Sequence, residues 1–240
     1  MRLLCVPYAG GGESVYAGWR SLLPADTELL LATLPGRGVR ILEPPVLSLA
    51  EVVRAIADAL APWGDRPLAL FGHSAGALVC FELAHELFAR GSPPCHLLVS
   101  ACQTPRHLRG QAADLSRLPD DELTRELVRI GGMPPALLSS PELLALFMPA
   151  IRADLAMVSG YLPPDRPPLP CPITALGGLA DQEVPVGLLQ EWRVETVGPF
   201  DFRIFEGGHF YIQNQQAELV RFVHSRAVQL RGAVVGPRKE

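Results

Sequence analysis

Apolar residues follow two alternating rhythms along the chain. Short, almost unbroken apolar runs occur at 2–6 (RLLCV), 28–34 (ELLLATL), 68–71 (LALF) and 96–101 (HLLVSA), and further strands are predicted at 172–177 (PITALG) and 201–206 (DFRIFE). Between them apolar residues recur every three or four positions, which predicts helices. One such stripe holds Tyr16, Trp19, Leu22 and Leu23, with Ser14 as its candidate cap. A second holds Leu49, Val52, Val53, Ile56 and Leu60, and Ser48 with Glu51 forms a capping box in front of it. Further helices are predicted over 77–90, 185–195 and 213–230, the last with Leu219, Val220, Val223, Ala227 and Leu230 on one side. Strand, loop and helix in repetition predict a mostly parallel sheet covered on both faces, where strands are apolar without alternation.

The rhythm breaks between Cys102 and Leu169. Helical pieces are predicted at 121–130, ended by Gly131-Gly132, at 140–147 with Pro141 in its first position, and at 150–160. Pro163, Pro164, Pro167, Pro168 and Pro170 follow. A strandless stretch of about 60 residues inside a compact domain reads as an insertion with a task, here a helical cap over the ligand-binding edge of the sheet. The expected organisation is a core of residues 1–101 and 170–230, an inserted subdomain at 102–169 and a frayed tail at 231–240. A subdomain that only packs is the plain alternative.

Composition narrows the class. With 240 residues, 48% apolar and 19% charged, the chain can bury a large core, which excludes wholesale disorder. A net charge of −4 argues against a general nucleic-acid binder. The positive charge is almost all Arg, Lys239 being the only Lys. Cys5, Cys80, Cys95, Cys102 and Cys171 have no regular spacing, so neither a disulfide framework nor a zinc site is expected, and buried thiols are. The opening run Leu3–Val6 is too short for a signal peptide, and no apolar run nears the ~18 residues of a membrane span. No membrane association, no cofactor, no metal and a cytoplasmic location are the expectations.

The chemistry centres on Gly72-His73-Ser74-Ala75-Gly76, which follows an apolar run and opens a helical pattern. Serine between two glycines in that setting suits a strained strand-to-helix turn that exposes the hydroxyl at the sheet edge. A serine hydroxyl is a weak nucleophile and needs a base, and the base needs an orienting acid. On such sheets the acid precedes the histidine in the chain. Asp181 lies just past the 172–177 run and His209 just past the 201–206 run. His73, His85, His96, His107 and His224 are weaker candidates for the base, as are Glu183 and Asp201 for the acid. An oxyanion hole needs two backbone donors. Ala75 N–H is expected to be one, and Ala9 N–H or Gly10 N–H, in the loop after the first strand, the other. Arg37, in a Pro-Gly-Arg-Gly turn, is a candidate for substrate contact or for holding its loop.

The blocks PYAGG (7–11), LPGRGVR (34–40), GHSAGALVCFELA (72–84), LFMPAIRADLAMVSGY (146–161), CPITALGGLAD (171–181) and FEGGHF (205–210) together resemble the type II thioesterases of polyketide and nonribosomal peptide assembly lines. The resemblance covers about residues 2–225. It implies an α/β-hydrolase fold with a mobile lid and a triad of Ser74, Asp181 and His209. It also implies hydrolysis of acyl groups from the phosphopantetheine arm of acyl or peptidyl carrier proteins, with the Ala-Gly-Gly loop serving the oxyanion hole. A monomer is expected. Ala75 stands where the family often has Met, which leaves the donor intact and alters the pocket wall. Leu115, Leu118, Leu123, Leu127, Met133, Leu137, Leu143, Phe147 and Met157 offer an apolar wall for an acyl chain. Other readings are an esterase or acyltransferase acting on small free substrates, and an inactive carrier-binding scaffold.

Overall fold

The computed structural model describes residues 1–108 and 114–229. The expected tail at 231–240 and Leu230 lie outside the described residues. The strands are β1 (Arg2–Val6), β2 (Glu28–Leu31), β3 (Leu68–His73), β4 (His96–Ser100), β5 (Ile173–Gly178) and β6 (Phe200–Phe205). They form one sheet in the order β2-β1-β3-β4-β5-β6, and every neighbouring pair is parallel. The helices are α1 (Trp19–Leu22), α2 (Leu49–Leu60), α3 (Ala75–Ala89), α4 (Pro105–Leu108), α5 (Asp120–Arg129), α6 (Pro135–Leu138), α7 (Pro141–Ser159), α8 (Val186–Gln190) and α9 (Gln216–Gln229).

The near-continuous apolar runs have their cause in two cores. One face of the sheet packs on α2 and α3, with Val52, Leu78, Phe81 and Trp192 among its buried side chains. The other packs on α1 and α9, through Trp19, Phe71, Leu219 and Val223. Strands β1, β4 and β5 are buried along their whole length, as doubly covered strands must be. The fold is the α/β-hydrolase fold, with a helical insertion between β4 and β5. The insertion has its own small core of Leu123, Leu127, Met133, Met148 and Ile151.

Ser48 caps α2 as expected, accepting from Glu51 N–H at 3.4 Å. Several local expectations are corrected. The helices expected at 140–147 and 150–160 are one, α7, with Pro149 inside it. An interior proline costs about 3 kcal/mol. Burial of Met148, Ile151 and Met157 on either side offsets that, at about 1.5–3 kcal/mol for each large apolar side chain. Ser14 caps nothing: it sits inside a 3-10 turn, Glu13–Tyr16, that is entered from Gly12 and pinned by the Tyr16 hydroxyl donating to Val6 C=O at 2.9 Å. β2 ends at Leu31, short of Leu34, as the chain turns into Pro35-Gly36. The helix expected at 185–195 continues past Gln190 as a 3-10 turn, and α9 starts only at Gln216, after a 3-10 turn at Tyr211–Gln213.

Candidate active site

The sequence dictates the serine turn. Ser74 joins the end of β3 to the start of α3 with φ 54° and ψ −121°, a conformation that costs a non-glycine residue about 1–3 kcal/mol. The surroundings hold it there. Ser74 N–H donates to Ser100 C=O at 2.8 Å, and Ser74 C=O accepts from Ala77 N–H at 2.9 Å. Gly76 passes so close to β1 that a Cβ there would lie 2.2 Å from Val6 O. The turn therefore needs glycine at that position, whatever the serine does.

Asp181 follows β5 and His209 follows β6. The two loops are knit together: Leu179 N–H donates to Phe205 C=O and Ala180 N–H to Gly207 C=O, both at 2.8 Å. A Cβ on Gly178 would stand 2.3 Å from Gly208 O, so the loops can approach only with glycine there. This contact brings the acid to the imidazole. His209 Nδ1 lies 2.9 Å from Asp181 Oδ2. Asp181 Oδ1 accepts from Glu183 N–H at 2.9 Å and Val184 N–H at 3.0 Å. With one carboxylate oxygen fixed by two backbone donors, the other receives the Nδ1 proton, and Nε2 is left as the basic nitrogen.

Ser74 and His209 line one cavity of about 780 Å³, together with Ala9 and Ala75. Ala75 is the first residue of α3, so its N–H has no acceptor within the helix. Gly10 does not fit the expected donor role, because its N–H is taken by Asp154 Oδ2 at 2.7 Å. Arg37 is buried and forks onto Asp154, Nη1 to Oδ2 at 2.5 Å and Nη2 to Oδ1 at 2.8 Å. It therefore holds its loop, and it is not among the cavity-lining residues.

The weaker candidates are placed elsewhere. His73 points beneath the turn, with Nδ1 2.8 Å from Ser100 Oγ, which in turn lies 2.6 Å from the Tyr211 hydroxyl. Burial, and then the neighbouring His209, hold its pKa well below the usual histidine value. His96 bonds Thr174 Oγ1 at 2.9 Å, His107 pairs with Glu191 at 2.8 Å, and His85 packs edge-on against Phe81. His224 lies 3.9 Å from Asp26. Glu183 borders the cavity but turns its carboxylate to Arg129 at 2.9 Å, and Asp201 pairs with Arg226.

The apolar wall differs from the expected one. Leu115 and Leu118 face the cavity, joined by Ile130, Leu155 and Val158, which sequence reasoning missed. Leu123, Leu127 and Met133 fill the insertion's own core, Leu137 and Phe147 pack against that core, Met157 joins the main core, and Leu143 is exposed. The helical spacing of Leu155 and Val158 does not by itself tell the cavity face of α7 from the faces that pack on the two cores. Glu122, Arg125, Glu126 and Arg129, all on α5, supply charged groups to the same cavity.

All five cysteines are buried, and none is joined in a disulfide. Among the described residues, no group of three or more His, Cys, Asp or Glu is placed to hold a metal ion, and no helix is long and apolar enough to cross a membrane.

Comparison with known proteins agrees with this arrangement. The thioesterase domain family model matches residues 1–227. The gramicidin S biosynthesis protein GrsT of Aneurinibacillus migulanus is 34% identical over 224 residues, covering 93% of this chain and 87% of that protein. The thioesterase RedJ from the prodiginine pathway in Streptomyces coelicolor superposes with a TM-score of 0.87 at 36% identity, over 96% of this chain and 90% of that one. The type II thioesterase BorB from the borrelidin biosynthetic cluster gives a TM-score of 0.87 at 33% identity, over 94% of this chain and 92% of that one. With a serine turn, an Asp-bound histidine and a lid-like insertion on this sheet, the chain belongs to the thioesterase family, as a type II thioesterase of the α/β-hydrolase superfamily.

Proposed function

We propose that this enzyme hydrolyses acyl thioesters held on the phosphopantetheine arm of acyl or peptidyl carrier proteins, with Ser74 as nucleophile, His209 as base and Asp181 as orienting acid. The observation that carries the assignment is the 2.9 Å contact between His209 Nδ1 and Asp181, with His209 and Ser74 on one cavity. His209 Nε2 takes the Ser74 proton as Oγ attacks the thioester carbon. The carbonyl oxygen becomes an anion facing Ala75 N–H and Ala9 N–H. Collapse expels the thiol, which leaves with the proton from His209. Water then repeats the sequence: His209 removes its proton, the hydroxyl attacks acyl-Ser74, and the acid departs as Ser74 regains its proton.

The cavity suits an acyl chain. Leu115, Leu118, Ile130, Leu155 and Val158 offer it apolar surface, and residues 102–169 serve as the lid. Ser74, Asp181 and His209 meet within a single chain, so a monomer is sufficient for this chemistry. Five cysteines with no disulfide among them fit a reducing compartment, in line with a cytoplasmic enzyme.

The test is a hydrolysis panel of acyl-phosphopantetheinyl carrier proteins of varied chain length, run beside small esters of the same acyl group. Faster turnover of the carrier-bound thioester, abolished in Ser74→Ala, is expected. A strong preference for the small ester would transfer the assignment to an esterase.

A further inference from the structure

Asp154 lies on α7, inside the insertion, and Gly10 lies in the loop after β1, next to Ala9. Gly10 N–H donates to Asp154 Oδ2 at 2.7 Å. The same carboxylate is forked by Arg37, at 2.5 and 2.8 Å, and Arg37 Nη1 also donates to Gly11 C=O at 3.3 Å. The buried ion pair therefore grips two consecutive residues of the loop, its negative half at an N–H and its positive half at a C=O.

Both peptide groups flanking Ala9 are held, the first by a turn within the loop and the second by the ion pair. Tyr8 C=O accepts from Gly11 N–H at 2.8 Å. That peptide is trans, so Ala9 N–H points opposite to the carbonyl and away from Gly11. The following peptide, Ala9–Gly10, is fixed by Asp154. Helix α7 also presses on this loop: a Cβ on Gly10 would lie 2.3 Å from Ile151 Cγ1, three residues before Asp154. Replacing a buried ion pair by well-packed apolar side chains of similar volume is often neutral or stabilising, so the pair is weak evidence of a stability role.

We propose that Asp154, held by Arg37, is a positioning residue that fixes the Ala9 N–H for the oxyanion, and that this donor is in place only when α7 is seated on the core. The lid and the oxyanion hole then form one unit. The inference rests on the thioesterase reading above, so one experiment must report on each separately.

Asp154→Asn keeps the shape and removes the charge. Its kcat on an acyl carrier protein is expected to fall about 10- to 100-fold, with KM changed less than about threefold. Affinity for a trifluoromethyl ketone of the same chain length should fall by the same factor. Such a ketone accepts Ser74 Oγ on its carbonyl carbon, the serine proton passes to His209, and the ketone oxygen becomes the anion that Ala9 N–H must meet. Arg37→Met combined with Asp154→Leu leaves no buried charge and supplies the measurement if the Asn variant does not fold, with the same losses expected. A folded variant whose kcat stays within about twofold of wild type overturns the inference, as does a reduced kcat with unchanged ketone affinity. Ser74→Ala separates the two readings. Its inactivity beside wild-type rates in the Asp154 variants removes the positioning role alone, whereas its full activity removes the hydrolase reading itself.

Discussion

Asp181 presents its two carboxylate oxygens to different partners: Oδ2 lies 2.9 Å from His209 Nδ1, and Oδ1 accepts the backbone N–H groups of Glu183 and Val184. This division fixes the outcome of Asp181→Asn. The two backbone donors demand an oxygen, so the amide NH₂ would face the imidazole. Nδ1 would then have to accept, Nε2 would carry the proton, and the base would be lost. A fall in kcat of about 10⁴ is expected, with the fold kept. Steady-state kinetics beside circular dichroism would check it, and near wild-type turnover would remove Asp181 from the triad.

Glu183→Gln is the control. Its carboxylate pairs with Arg129 at the exposed rim of the cavity, whereas the oxygen that meets His209 Nδ1 belongs to Asp181. Exposed pairs contribute about 0–1 kcal/mol, so stability and kcat should stay close to wild type, as thermal melts and the same assay would show.

Ser74→Ala should abolish turnover and labelling by a fluorophosphonate while leaving the melting temperature within a few degrees, since deleting one hydroxyl at the cavity wall creates no core void. Labelling that persists in this variant would place the nucleophile elsewhere.

Most of the fold was legible in the sequence, as was the meeting of Ser74, Asp181 and His209 at one sheet edge, each for a local reason. Buried parallel strands must be apolar without alternation, the serine turn needs its glycines, and the loops after β5 and β6 carry Asp181 and His209 at strand ends. The cavity wall was not legible. Helix α7 is apolar around much of its girth, sending Met148 and Ile151 to the insertion's core, Met157 to the main core, and Leu155 and Val158 to the cavity. Periodicity cannot choose between such faces. Arg37 was equally ambiguous, because the carboxylate that settles its role lies 117 residues away.

Leu155 and Val158 should set acyl length. Enlarging Val158 to Phe is expected to depress kcat/KM for long acyl chains more than for short ones. Each methylene displaced is worth about 0.8 kcal/mol, roughly fourfold. A uniform loss across a chain-length series would show that the chain does not run along this wall.

Acid should destabilise the fold through its buried imidazoles. Burial lowers the pKa of His96 to about 4 and holds that of His73 well below 6.5. The unfolded chain takes up these protons near pH 6.5 and the folded chain does not, so stability falls as pH drops below that value. Each of the two costs about 1.4 kcal/mol per pH unit until its folded pKa is reached. Urea unfolding at pH 7.5 and 5.5 would measure the slope, and His96→Gln should make it shallower. A slope unchanged by that substitution would show that His96 is not the group responsible.

The crossing of Gly178 and Gly208 has an evolutionary corollary. With the acid on one strap and the imidazole on the other, and bare backbone where they touch, the first strap cannot acquire a side chain at Gly178 without displacing the second. Descendants of this chain are free to reshape the roof above the pocket while inheriting those two straps as a single fastening.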